Sequence, residues 1–102
     1  DVCSSDLAKI ARFINLTGNT DEELTDALIA RIREMNKALD IPTCIKDYEG
    51  GIIDEKEFMD KLPTVAELAV GDACTGSNPR AITPAEMEQL LKCCFYDEEV
   101  TF

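Results

Sequence analysis

The sequence contains no histidine, and only 10 lysines and arginines stand against 21 aspartates and glutamates among its 102 residues. Each shortage excludes a class of chemistry. Without imidazole there is no side chain titrating near neutrality for proton shuttling, and zinc, iron or copper would have to be held by carboxylate or thiolate alone. A net charge of −11 and a pI near 4.2 oppose capture by nucleic-acid phosphates or anionic lipid. No apolar run approaches the roughly 20 residues that span a bilayer, and the N-terminal residues lack the basic and apolar regions of a secretory signal. The five cysteines, Cys3, Cys44, Cys74, Cys93 and Cys94, have neither the even count nor the density of a disulfide-stapled scaffold. A soluble, cytoplasmic chain is therefore expected. Its 45% hydrophobic composition is enough for one small core.

Hydrophobic spacing predicts helices throughout and no confident strand. Leu7, Ile10, Ala11 and Ile14 recur at helical intervals over residues 5–15. Thr20 and Glu23 form a capping-box pattern, which places a helix start at Asp21. Leu24, Ala27, Leu28, Ile32, Met35, Ala38 and Leu39 carry one apolar stripe to about Leu39, where Asp40-Ile41-Pro42 ends it. Arg31 falls inside that stripe. Either its stem packs while its guanidinium reaches solvent or an acid, or the face meets polypeptide outside this chain. Residues 43–51 read as a short helical turn and a Gly50-Gly51 loop, with Ile52 and Ile53 returning to the core. Asp54 and Glu57 make a second capping box, and Phe58, Leu62, Val65, Leu68 and Ala69 continue an apolar face that Pro63 should break or restart. The last helix is announced by Thr83, Pro84 and Glu86 ahead of Met87, Leu90, Leu91 and Cys94. The reading is an all-α bundle of five to six helices.

The stretch 51–58 superficially matches the second half of a calcium-binding EF-hand loop, with a glycine turn and Glu57 in the terminal acidic position. In that register, however, the first three side-chain ligand positions hold Lys46, Tyr48 and Gly50. A lysine stands where a carboxylate is required, so the stretch reads as a turn followed by a helix cap. Cys93 and Cys94 are adjacent and lack the two-residue gap of a redox or zinc pair, so they read as core or half-buried packing. Cys44 gives no specific signal. Cys74 opens a glycine-containing loop that could face a cleft, without a base nearby in sequence to activate it. Asn78-Pro79-Arg80 reads as a rigid turn, since proline biases the residue before it away from helical angles.

The run Asp72-Ala73-Cys74-Thr75-Gly76-Ser77-Asn78-Pro79-Arg80, followed by Ala81-Ile82-Thr83-Pro84-Ala85-Glu86-Met87, closely resembles the C-terminal end of iron-containing (group III) alcohol dehydrogenases. Residues 32–42 also resemble that family, although Asp40 replaces the usual glycine of its "LGIP" helix stop. The resemblance covers about residues 8–96. It implies a dehydroquinate synthase-like fold whose N-terminal α/β domain binds nucleotide and whose C-terminal domain is helical. It further implies an iron held by one aspartate and three histidines, acting as a Lewis acid on an alcohol or aldehyde oxygen while hydride passes to or from NAD(P). Since this chain has no histidine, the resemblance makes it a C-terminal fragment, residues 8–102, without catalytic, cofactor-binding or metal-binding residues and inactive alone. Cys74 carries over as a wall of the substrate pocket. Thr75, Gly76, Asn78, Pro79 and Arg80 carry over as the motif shaping its loop. The parent would be a single-function alcohol dehydrogenase or the C-terminal half of a bifunctional aldehyde-alcohol dehydrogenase. Residues 1–6, and Leu7 with them, resemble a translated sequencing adapter and are expected to be an artefactual tail. A different class of answer is an independent acidic helical adaptor that receives a partner helix in an apolar groove.

Overall fold

In the computed structural model, which describes residues 2–102, apolar spacing at three and four residues becomes four α-helices: α1 (Val2–Phe13), α2 (Asp21–Ala38), α3 (Glu55–Gly71) and α4 (Pro84–Tyr96). Two 3₁₀ segments, Ile45–Gly50 and Thr75–Ser77, lie in the connections, and the described residues contain no strand. The all-α reading therefore holds; the expected helical turn after Thr43 is the 3₁₀ segment Ile45–Gly50, and the loop after Ala73 contains a 3₁₀ turn that was not expected. Of the expected N-terminal tail, Asp1 lies outside the described residues. The first helix begins at Val2 rather than Ser5. The chain divides into two compact units, Asp1–Ile41 and Pro42–Phe102.

The first unit is a helical hairpin. Its core is small: Ala8 and Ala11 from α1 meet Leu24 and Leu28 from α2, with Leu16 of the connection packed against them. The turn is closed by local chemistry. Asn15 takes a left-handed φ of 61°, which lets the Leu16 N–H donate to Ala11 O at 2.9 Å and the Asn15 N–H to Arg12 O at 3.0 Å, a Schellman ending. Gly18 suits a crowded position, since a Cβ there would lie 3.0 Å from the Leu24 nitrogen and its neighbours would have to give. Arg12 pairs with Asp21 at 2.6 Å, joining the last turn of α1 to the first of α2. Thr20 caps α2 as expected, accepting from the Glu23 N–H at 3.1 Å, but the Glu23 carboxylate receives the Asn19 N–H at 2.6 Å instead of the Thr20 N–H.

α2 ends in a second Schellman arrangement. Asp40 tolerates the left-handed conformation, with φ 55°, while Ile41 and Asp40 donate to Asn36 O and Lys37 O at 2.9 and 3.2 Å. The distal half of α2 departs from the stripe's expectation. Ile32, Met35, Ala38 and Leu39 are all exposed, Leu39 at 67%. The reason is that α1 supplies partners only as far along as Leu28. Arg31 meets an acid on its own helix, Glu34, at 2.7 Å.

The second unit is built on Phe95, the largest fully buried side chain among the described residues. Its ring stacks on Phe58 at 4.3 Å between centroids and meets the edge of Tyr96 at 4.9 Å. Leu62 and Ala66 of α3 complete the buried core. The sequence stripe through α4 pointed to Cys94, which is exposed; Phe95 takes the core position instead, four residues beyond Leu91. Cys93 is half-buried. α3 runs unbroken through Pro63, correcting the expected break. Burial of Leu62 and Ala66 on either side holds the helix despite the hydrogen bond that proline cannot donate. Asp54 caps α3 through the Glu57 N–H at 2.8 Å, but Glu57 turns its carboxylate to Lys61, so the reciprocal bond of a box is not made. Ile52 is 64% exposed and does not return to the core, whereas Ile53 is half-buried.

Candidate functional site

The residues singled out by sequence, Cys74, Thr75, Gly76, Asn78, Pro79 and Arg80, lie together in the loop from α3 to α4. Two helix-end devices fix where that loop starts and stops. At its start, Asp72 leaves helical angles, its carboxylate accepts the Cys74 N–H at 2.8 Å, and its carbonyl accepts the Thr75 N–H at 3.1 Å. At its end, Thr83 and Glu86 form the one full capping box among the described α-helices. The Glu86 N–H donates to the Thr83 hydroxyl at 3.2 Å, and the Thr83 N–H donates to the Glu86 carboxylate at 2.8 Å. The Thr83 N–H and the Thr83 hydroxyl, which donates to the same carboxylate at 3.0 Å, hold the Glu86 carboxyl below the usual glutamate range, with Arg80 adding its positive charge.

Between these ends the loop folds on itself. The Thr75 hydroxyl donates to Ala69 O at 2.6 Å, tying the loop to the last turn of α3. The Ser77 and Asn78 N–H groups donate to Cys74 O and Thr75 O at 3.2 and 3.1 Å, closing the 3₁₀ turn. Asn78 adopts φ −66° and ψ 134°, the extended conformation that a following proline demands, and its side-chain amide donates to Arg80 O. Arg80 then reaches Phe102, donating to its carbonyl at 2.8 Å with the guanidinium 5.4 Å from the ring centroid, and lies 3.6 Å from Glu86. Cys74 is exposed on this frame. Gly76 is exposed as well, has no positive φ, and a Cβ added to it would meet nothing within 4 Å. Nothing inside the chain requires glycine at that position.

Away from this loop lies a concavity that was not anticipated from sequence. An apolar cleft of about 430 Å³ lies between Ile52, Ile53, Phe58, Leu62, Val65 and Leu91, with Asp54, Glu57 and Lys61 also on its walls. Its signal was the spacing Phe58, Leu62, Val65, which marks a continuous face of α3; the covering element that sequence alone suggested, Ile52, stands away from the core. Gly51 takes φ 90°, Asp54 is engaged in capping, and Lys46 lies 5.7 Å over the Tyr96 ring. The Tyr96 hydroxyl donates to Glu55, which pushes its pKa up.

No group of three or more potential metal-ligating side chains occurs among the described residues, and the sequence offers no imidazole. No helix among them is long and apolar enough to cross a membrane.

Comparison with known proteins gives the geometry a context. Residues 1–95 match the C-terminal part of the Fe-containing alcohol dehydrogenase family. The chain is 50% identical over 95 residues to an NADPH-dependent butanol dehydrogenase of Clostridium saccharobutylicum, covering 93% of this chain and 24% of that protein. It is 48% identical over 88 residues to an aldehyde-alcohol dehydrogenase of Clostridium acetobutylicum, covering 86% and 10%. An alcohol dehydrogenase of Thermococcus barophilus is 33% identical over 90 residues, covering 88% and 21%. The chain thus spans a quarter or less of the length of these relatives.

Proposed function

The chain belongs to the Fe-containing alcohol dehydrogenase family, and from that premise we propose that it supplies part of the helical C-terminal domain of a cytoplasmic, NAD(P)-dependent enzyme interconverting primary alcohols or diols and aldehydes. The observation that carries this reading is the 50% identity over 95 residues to a butanol dehydrogenase. The donor set of this chain does not fit the family's iron, since it lacks histidine and any cluster of three ligating side chains among the described residues. In this reading iron and nicotinamide are held by residues outside the chain, in a nucleotide-binding domain and the helices that precede this segment.

Cys74 then forms a wall of the substrate pocket, with Thr75, Gly76, Asn78, Pro79 and Arg80 setting the loop that presents it. Gly76 supports this role. A motif glycine with open space around its Cα and an unstrained backbone serves close approach by something outside the chain. The bare faces point the same way, because Ile32, Met35 and Leu39 on α2 form an apolar strip that the hairpin itself never covers. The 48% identity to an aldehyde-alcohol dehydrogenase supports a bifunctional parent as the second reading.

The test is turnover. The purified chain, supplied with Fe²⁺, NADPH or NADH, and butanol or butyraldehyde, is expected to show none; measurable alcohol oxidation or aldehyde reduction by the chain alone would overturn the assignment of the catalytic residues to polypeptide outside it.

A further inference from the structure

The residues after α4 double back along it. Asp97 takes a left-handed φ of 59°, which turns the chain, and the Glu98 N–H donates to Cys93 O at 3.0 Å. One residue later the Cys93 thiol lies 3.6 Å from Glu99 O. At the far end Phe102 meets Arg80 twice, through its carbonyl and through its ring. The reach is consistent: residues 97–102 in extended form span about 20 Å, and the 13 residues of α4 rise about 20 Å. The strap therefore runs from the C-terminal end of α4 to the loop that precedes its N-terminus. It lies beyond the family match, which stops at residue 95.

We propose that residues 97–102 are a latch on the Cys74 loop, with Arg80 as its catch and Phe102 as its tongue. The linkage is continuous. Phe102 fixes the Arg80 side chain, the Arg80 carbonyl receives the Asn78 amide, and the Asn78 N–H closes the turn onto Thr75. Arg80 suits the catch because its planar guanidinium can lie against a ring and donate to an oxygen at once, which an ammonium does poorly. Glu86, 3.6 Å away and itself fixed by Thr83, restrains the guanidinium from the other side. Arg80 is thus a positioning residue for the turn that carries Cys74. Arg80 is also more than half exposed, so the latch is weak enough to open without unfolding α4. The device rests on contacts within the chain and is independent of which substrate the loop serves.

The experiment is amide hydrogen exchange by NMR on the full chain, comparing Arg80→Gln, Phe102→Ala and Phe102→Trp with the parent. The readout is exchange at Ser77 and Asn78, whose N–H groups close the turn, with amides in the middle of α4 as the internal reference. Arg80→Gln, which loses the charged hydrogen bond and the exposed cation–π contact, is expected to speed exchange at both positions about tenfold, and Phe102→Ala, which loses the ring contact alone, about threefold. Phe102→Trp, which keeps an aromatic face and the main-chain carbonyl, is expected to stay within about twofold of the parent. Unchanged exchange at Ser77 and Asn78 in both disrupting variants would overturn the latch. So would an equal acceleration throughout α3 and α4, because that reports opening of the whole unit rather than of the loop.

Discussion

Replacing Phe95 by alanine should remove the centre of the Pro42–Phe102 unit. The ring is fully buried, stacks on Phe58 and meets the edge of Tyr96. Phe→Ala at such a site costs about 3–5 kcal/mol, of which an aromatic pair accounts for about 0.5–1.5 kcal/mol. A unit of 61 residues, from 42 to 102 inclusive, has a total stability of only about 3–9 kcal/mol by the usual per-residue range. The substitution should therefore consume between a third and all of it. The assay is convenient because the chain has no tryptophan and both of its tyrosines, Tyr48 and Tyr96, lie in this unit. Tyrosine near-UV dichroism in a urea titration follows this unit without signal from tyrosine or tryptophan elsewhere. The expected result is a transition moved to much lower urea, or no folded baseline at all. Phe95→Leu, which retains an apolar side chain, should lose about 1–2 kcal/mol and keep a measurable transition. A loss below about 1 kcal/mol in Phe95→Ala would refute the placement of the core, since no fully buried phenylalanine is removed so cheaply.

Gly76→Ala should leave the isolated chain as stable as before or raise its stability by up to about 1 kcal/mol, because the backbone is unstrained and the Cβ enters open space; a thermal melt checks this, and clear destabilisation would contradict it. Ile32→Glu combined with Met35→Lys should change the chain's stability by no more than about 0.5 kcal/mol per site, both positions being exposed, while reducing the fluorescence of a hydrophobic dye bound to the chain. Unaltered dye binding would locate the accessible apolar surface elsewhere. The Glu86 carboxyl is held low chiefly by the Thr83 N–H and hydroxyl. A depressed folded pKa stabilises above the ordinary glutamate pKa and the contribution is lost as pH falls through the folded value. Glu86→Gln should therefore flatten the acid side of the melting-temperature profile, and parallel profiles for the two proteins would count against the capping geometry.

What was legible in the sequence was mainly local. Thr83-Pro84-Ala85-Glu86 carries the start of α4 within four consecutive residues, and the structure places it there. The stop of α2 near Asp40-Ile41-Pro42 could be read in advance, although the left-handed backbone that Asp40 adopts could not. The start of α2 at Asp21 is equally local. What escaped depended on partners distant in sequence. Cys94 and Phe95 both fit a helical period, and only packing against Phe58 decides between them. Pro63 would break an isolated helix but sits beside two buried residues of α3. The stripe on α2 is periodic to its end, yet periodicity cannot say that α1 covers only its first half. The loop's internal turn could be read from Asn78-Pro79, whereas the Arg80 contact with Phe102 spans 22 residues and left no mark in the spacing.

The central claim is that this chain supplies the helical end of an alcohol dehydrogenase active site. The most direct measurement replaces the matching 95-residue stretch of the Clostridium saccharobutylicum butanol dehydrogenase with the stretch of this chain that aligns to it and assays NADPH-dependent butyraldehyde reduction. The account predicts activity within about tenfold of the parent enzyme, a change of about 1.4 kcal/mol in barrier, and a further loss on Gly76→Ala. A chimera that folds, binds iron and NADPH, and yet has no activity would contradict it.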